Sequence, residues 1–258
     1  MNDPLDRHVQ GLGASFAILT PFVAGAQTHE RDRAFLVTMN YPEASLNFIV
    51  TNPGVTKETL DELYAELTAP LLPHGILCRP GSEDVVEALA SERGLVLQER
   101  PSTFMAASSD AGSRAVLDTS PLVIERVYRD EFTRYCDVVT AGFSMHRALA
   151  EHLAPPRAFD NPLSSFYLGL CDGVPVATGL GVLADDCAGV FNISTLPDYR
   201  GRGFGAAITA RCVVDGFAHG ATHAVLQASP MGEPVYERLG FTMIERWRVY
   251  ASTPTSTN

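Results

Sequence analysis

What this chain of 258 residues lacks already narrows what it can be. Basic charge is scarce: 19 Lys and Arg stand against 30 Asp and Glu, a net charge of -11. A chain with no cationic excess has no counterions to release from a polyphosphate, which excludes a nucleic acid or an anionic membrane surface as the expected partner. A local cationic pocket for a small anionic ligand stays possible. Long apolar runs are missing too, since no stretch of about 18 uninterrupted apolar residues occurs, and Met1 to Arg7 is not a cationic start followed by an apolar core. Neither a membrane span nor a leader is expected, and the cytoplasm is the default location. The five cysteines are an odd number with no C-x-x-C pair, and most lie in apolar runs as small hydrophobes, so no disulfide is expected. Metal-ligand spacing is also wanting. His219 and His223 are four apart but Gly220 interrupts any helix between them, and no metal is expected.

What is present is 46% hydrophobic and 19% charged, ample for a core. Length allows one large domain or two small ones, and the pattern of elements favours two. The chain is organised around Leu196-Pro197-Asp198-Tyr199-Arg200-Gly201-Arg202-Gly203-Phe204-Gly205-Ala206-Ala207. Before it, Gly189 to Thr195 has the β-branched and aromatic content of a strand. After it, Ala206, Ala210, Val213, Val214 and Phe217 fall on one helical face, with His219-Gly220 as the stop. A strand, a glycine-rich loop and a helix bring the unpaired N–H groups of a first helical turn to one point, where the helix dipole also favours an anion. Gly201, Gly203 and Gly205 permit positive φ and close approach of a phosphate, and Arg200 and Arg202 can add charge-assisted hydrogen bonds.

The order Arg-x-x-Gly-x-Gly, here Arg200 to Gly205, resembles the pyrophosphate-binding motif of the GCN5-related N-acetyltransferases, the GNAT family, which bind acetyl-coenzyme A there. Downstream, a strand from Thr222 to Ser229 is followed by Tyr236-Glu237-Arg238-Leu239-Gly240-Phe241, which is similar to the closing Tyr-x-x-x-Gly-Phe segment of the family. The resemblance implies a mixed α/β acyltransferase fold in the C-terminal half. It also implies transfer of an acetyl group from acetyl-coenzyme A to a primary amine of a small molecule or peptide.

Along the chain, residues 5 to 24 contain Gly11-Leu12-Gly13-Ala14 but no preceding strand, and Val9, Leu12, Phe16 and Leu19 have helical spacing. Strands are predicted over Ala34 to Thr38 and Leu46 to Val50, and a helix from Thr56 to Leu67 capped by Thr56. A strand from Gly75 to Cys78, a helix capped by Ser82 and closed by Gly94, and strands at Leu95 to Gln98 and Thr103 to Ala106 follow. This half has no Arg-x-x-Gly-x-Gly loop and resembles the degenerate first half of two-domain GNAT proteins, a scaffold or a wall of the substrate cleft rather than a second coenzyme A site. Ser108 to Ser113 and Asp118 to Pro121 are small and polar and mark the boundary. The division expected is a degenerate N-terminal domain at 1–115, a catalytic GNAT domain at 120–252 and a flexible tail at 253–258. In the second domain a strand over Leu122 to Val127 precedes two helical patterns, through Phe132, Tyr135 and Val139 and from Met145 to Leu153. A hairpin pairs Ser164 to Leu170 with Val174 to Leu183 across Asp172-Gly173, and a last strand runs from Thr242 to Val249.

For the site, the resemblance implies pyrophosphate on the amides of Gly201 to Gly205 with Phe204 and Ala206 in the same turn, flanked by Arg200 and Arg202. Ile193, Ser194 and Thr195 would pair with the pantetheine arm as an added strand pairs with a sheet edge, and Ser229, at the end of the next strand, belongs to the same coenzyme-binding set. Tyr236 is the expected general acid for the leaving thiolate. The general base stays open. Relatives place a carboxylate on the strand before the loop, where this chain offers only Asn192, Ser194 and Thr195, so Asp185, Asp186, His146 or a water held by Asn192 and Ser229 are the alternatives. The acidic balance leans toward cationic acceptors such as polyamines, aminoglycosides or lysine side chains, and a homodimer is possible. Two rival readings stand beside this one: a non-catalytic acyl-coenzyme A sensor, and a nicotinamide-dependent oxidoreductase on the looser Gly201-x-Gly203-x-x-Ala206 pattern. Against the latter, Pro197-Asp198-Tyr199 separates strand from loop, and Gln227 stands where a ribose-binding acid belongs.

Overall fold

Hydrophobic spacing builds the first element. Val9, Leu12 and Leu19 are buried along one stripe of helix α1 (Pro4–Leu19). The computed structural model describes residues 4–109 and 122–252. After α1 come β1 (Gln27–Arg31), β2 (Ala34–Thr38), β3 (Asn47–Thr51), α2 (Lys57–Thr68), β4 (Gly75–Cys78), α3 (Glu83–Arg93), β5 (Val96–Leu97) and β6 (Ser102–Ser108). Then follow β7 (Leu122–Val127), α4 (Phe132–Phe143), α5 (Arg147–Leu153), β8 (Ser164–Cys171), β9 (Val174–Ala184), β10 (Cys187–Thr195), α6 (Phe204–Ala218), β11 (His223–Ala228), α7 (Glu233–Arg238) and β12 (Thr242–Ala251). No helix among the described residues is long and apolar enough to cross a membrane.

These elements form two compact units. One gathers the chain up to Val23 with Met105 to Met243, and the other gathers Ala24 to Phe104 with Ile244 onward. This departs from the contiguous division at 1–115 and 120–252, because an amphipathic stripe is buried wherever a complementary surface exists and not by chain order. The α1 helix lies on β9, β10 and β11, with Gly11 so close to β10 that a Cβ there would stand 2.5 Å from Cys187 Sγ. Conversely, β12 runs antiparallel to β4, from Arg248↔Cys78 to Ala251↔Gly75. Most of the predicted boundary stretch, and the tail at 253–258, lie outside the described residues.

In the first unit β7, β8, β9 and β10 are antiparallel neighbours, and β11 joins β10 in parallel. The hairpin between β8 and β9 turns on Asp172 and Gly173, both at positive φ (51° and 78°), as a two-residue Asp-Gly loop requires. One face of this sheet is covered by α6 through Phe204, Ile208 and Cys212. The other is covered by α4 and the end of α1, with Tyr135, Val139 and Leu19 packed on Phe166, Leu168 and Leu180. All five cysteines are free and buried.

The second unit pairs β1, β2, β3, β4 and β12 in that order, with β5 on β12. Leu36, Ile49 and Ile76 pack against Leu60 and Leu63 of α2 and Leu89 of α3. Thr56 caps α2 as expected, its hydroxyl accepting from Thr59 N at 3.2 Å. Ser82 occupies the cap position of α3 but does not cap with its side chain. Its hydroxyl donates to Arg79 O (2.7 Å) and lies 2.7 Å from Thr51 Oγ1, so buried partners in the sheet claim it first. The polar, half-buried β1 carries no apolar alternation and had no signal to betray it.

Candidate functional site

The site begins with an irregularity in β10. Its register against β9 shifts between Phe191 and Ser194, and Asn192 takes φ 53° in the left-handed region that asparagine tolerates better than most residues. Thr178 on β9 fixes the bulge from below. Its buried hydroxyl donates to Asn192 O at 2.9 Å and shares a 2.7 Å hydrogen bond with Ser194 Oγ.

The bulge sits where the sheet opens. β10 and β11 pair only from Cys187↔His223 to Gly189↔Val225, although β10 continues to Thr195 and β11 to Ala228. Beyond Gly189 the two parallel strands diverge, leaving the edge of β10 unpaired toward a crevice at their carboxyl ends, where ligands of open α/β sheets bind.

At the end of β10 the chain passes Gly201 (φ 75°) and Gly203 (φ 82°), the latter being the N-cap of α6. The first bond into the helix is Ala207 N to Gly203 O, so the N–H groups of Phe204, Gly205 and Ala206 have no intrahelical acceptor. Phe204 buries its ring in the core and offers only its amide. Gly205 lies flat against β10, where a Cβ would sit 3.6 Å from Thr195 Oγ1. This cradle of free N–H groups at a helix start fits a pyrophosphate.

Both arginines are engaged with backbone. Arg200 Nε donates to Thr195 O (3.0 Å) and Nη2 to Gly142 O (2.8 Å), so it braces β10 against the end of α4. Arg202 Nη2 donates to Asp198 O (3.3 Å) while its guanidinium lies over the Tyr199 ring. The expected phosphate contacts therefore fall to the amides first. Ser194 turns its hydroxyl into the bulge and Ile193 packs toward Gly179, so these two residues offer the crevice their backbone.

Tyr236 lies on α7, the short helix that follows β11. Its ring lies against Gly232, where a Cβ would meet Tyr236 Cε2 at 2.8 Å, and Ser229 Oγ accepts from Gly232 N (3.2 Å) to shape the same turn. The ring is buried beside Leu239 and Phe241, and burial pushes the phenol up to about 12, so it stays protonated across the physiological range. Among the base candidates, Asp185 and Asp186 occupy the β9–β10 turn at the far end of β10, with Asp186 paired to Arg7. They are too distant to serve. His146 is the exposed N-cap residue of α5. No group of three or more His, Cys, Asp or Glu among the described residues could hold a metal ion.

Three residues of this site carried no signal in the sequence. Tyr135 reads as one more apolar position of a helix, Thr178 as a strand residue and Gly142 as a helix end, because what matters in each is the partner across the fold.

The frame of this domain is a mixed sheet whose β10 carries a bulge and leads into a helix that starts on a glycine. Residues 125–241 match the acetyltransferase (GNAT) family and form a GNAT domain. In structure the chain is similar to a GCN5-related N-acetyltransferase from Kribbella flavida, with 19% identity, a TM-score of 0.66 and coverage of 96% of this chain and 98% of that one. It is similar too to a putative GNAT acetyltransferase from Novosphingobium aromaticivorans (17% identity, TM-score 0.56, 98% and 100% covered). A tandem GNAT protein from the clavulanic acid biosynthesis pathway aligns with 11% identity, a TM-score of 0.58 and coverage of 98% and 97%. No protein of curated function matches the chain in sequence.

Proposed function

We propose that this protein transfers an acetyl group from acetyl-coenzyme A to a primary amine. The observation that carries the reading is the divergence of β10 from β11 beyond Gly189, ending at the uncapped amides of Phe204, Gly205 and Ala206. In this reading the turn from Gly201 to Ala206 holds the pyrophosphate, and the free edge of β10 at Ile193 to Thr195 pairs with the amide-bearing arm. Acetyl-coenzyme A, when bound, supplies an activated thioester. In the same reading Tyr236 and Ser229 face that edge.

The raised pKa of Tyr236 refines its role. A phenol at about 12 keeps its proton against an ordinary thiolate with a pKa of about 8.5. Tyr236 therefore stabilises the departing sulfur by donating a hydrogen bond rather than by giving up the proton outright. In β3 and β4 the parallel register holds from Phe48↔Gly75 to Thr51↔Cys78 without divergence, which supports a single coenzyme site in the second half of the chain.

The test is a thermal-shift titration with acetyl-coenzyme A, with NAD as the control. At about a hundredfold excess over Kd a ligand adds roughly 2.7 kcal/mol, raising the melting temperature by about 5–10 °C. Gly203→Val, which forces a β-branched residue to φ 82°, should lose that shift. A shift with NAD and none with acetyl-coenzyme A would overturn the reading.

A further inference from the structure

The face of α4 that packs on the sheet carries Tyr135, Val139 and Gly142, one helical stripe. Gly142 seats the end of the helix on β10, where a Cβ would come within 2.5 Å of Ser194 Oγ. Two turns earlier Tyr135 is fully buried, edge-on to Phe159 and Phe166 with ring centroids 5.6 and 5.2 Å apart. Phe166, Leu180 and Phe191 are register neighbours across β8, β9 and β10. A ring standing on Phe166 thus carries its hydroxyl over the sheet toward the bulge.

The Asn192 side chain meets it there and partly offsets the upward push of burial on the phenol. No aligned hydrogen bond closes, however, and Tyr135 Oη is a buried hydroxyl with no partner among the described residues. Folded proteins rarely leave such a group unsatisfied, so its location matters. Through Phe166 and its register neighbours Leu180 and Phe191, the ring lies over the stretch of β10 that runs into the bulge. The titratable groups that act on Tyr135 are the thiols of Cys136 and Cys212, both kept neutral by burial, and Arg200, from the loop after β10, is tied to Gly142 O at the other end of the stripe.

We propose that the oxygens of Tyr135 and of the Asn192 side chain accept the two N–H groups of the acceptor, so that the acceptor is a weakly basic primary amine taken up in its neutral form. The inference rests on the acetyl-transfer reading. With both N–H groups directed at neutral oxygens, the nitrogen lone pair faces the thioester carbon. The C–N bond forms, the C–S bond breaks, and the nitrogen sheds one proton that ends on the departing sulfur, giving an amide and a free thiol. An ammonium held between two neutral oxygens away from water gains no compensating charge from them, which selects against it. An α-amino group, with a pKa of about 8, is neutral at pH 7.5 roughly a few hundred times more often than a lysine-like amine with a pKa of about 10.4.

The experiment follows thiol release from acetyl-coenzyme A by the full chain between pH 6 and 10, with glycinamide and n-butylamine as probes. Wild type should prefer glycinamide at pH 7.5, and Tyr135→Phe should raise its KM at least tenfold. That variant should bind acetyl-coenzyme A as before and melt no lower than wild type, since it removes an unsatisfied hydroxyl. Asn192→Asp, which tolerates the same backbone conformation, places a carboxylate beside the amine and should move the rising limb of the pH profile downward. Unchanged kinetics in Tyr135→Phe, or a pH profile of Asn192→Asp that coincides with wild type, would overturn this inference alone. A wild-type chain that binds acetyl-coenzyme A but acetylates neither amine would overturn the acetyl-transfer reading and this inference with it.

Discussion

Arg79 and Glu245, 166 positions apart, form a bidentate ion pair in the interior of the second unit: Arg79 Nε donates to Oε2 at 2.7 Å and Nη2 to Oε1 at 3.0 Å. Arg79 is 1% exposed. Asn52 Oδ1 accepts from Nη1 and Trp247 Nε1 donates to Glu245 Oε2, so both charges are saturated with hydrogen bonds. Breaking one side of such a pair leaves a buried charge without its partner. Glu245→Ala should cost about 3–5 kcal/mol, measured by urea denaturation, whereas replacing both partners with apolar residues should cost much less.

His223 predicts an acid-sensitive stability. It is 4% exposed beside His8, and burial first, then His8 and Arg7, push it down to about 4. A folded-state pKa below the unfolded one means the unfolded chain takes up the proton first as pH falls. The contribution is complete above about pH 6.5 and is lost between there and about pH 4, at most about 3 kcal/mol. Denaturation midpoints at pH 7.5 and 5 should differ in wild type, and His223→Gln should flatten the difference.

Thr178→Val tests the bulge. The isosteric change removes the hydrogen bond to Asn192 O and strands Ser194 Oγ in a buried place, at a cost of about 1–3 kcal/mol. Because the bulge sets the divergence of β10, affinity for acetyl-coenzyme A should fall together with stability. Calorimetric titration at a temperature where the variant remains folded separates the two effects.

Tyr236→Phe should lower kcat about 10- to 100-fold, the equivalent of one hydrogen bond to a developing charge, and leave coenzyme affinity within about twofold. The phenol is already protonated over the neutral range, so the variant should keep the pH profile of wild type. A profile that changes shape would mean that Tyr236 titrates during turnover.

The short-range features were legible because their causes are short-range. Thr56 caps α2, Asp172-Gly173 turns the hairpin, and Gly201 and Gly203 hold the positive φ of the loop, each from chemistry contained within a few residues. Ser82 and Arg200 show the limit of that reasoning. Each stands at the predicted position, yet besides a local carbonyl each bonds a distant partner, Ser82 to Thr51 and Arg200 to Gly142.

By itself, then, the sequence determined most of the elements and the strand–loop–helix cradle from Gly189 to Phe217, because periodicity and turn chemistry are properties of neighbouring residues. Only the tertiary structure decided that α1 packs on β9 to β11, that β12 pairs with β4, that β10 leaves β11 after Gly189, and that the Tyr135 hydroxyl is buried without a partner among the described residues. Those outcomes depend on which buried surfaces complement one another and on which polar groups compete for the same partner. That information is spread over residues from tens to more than a hundred positions apart.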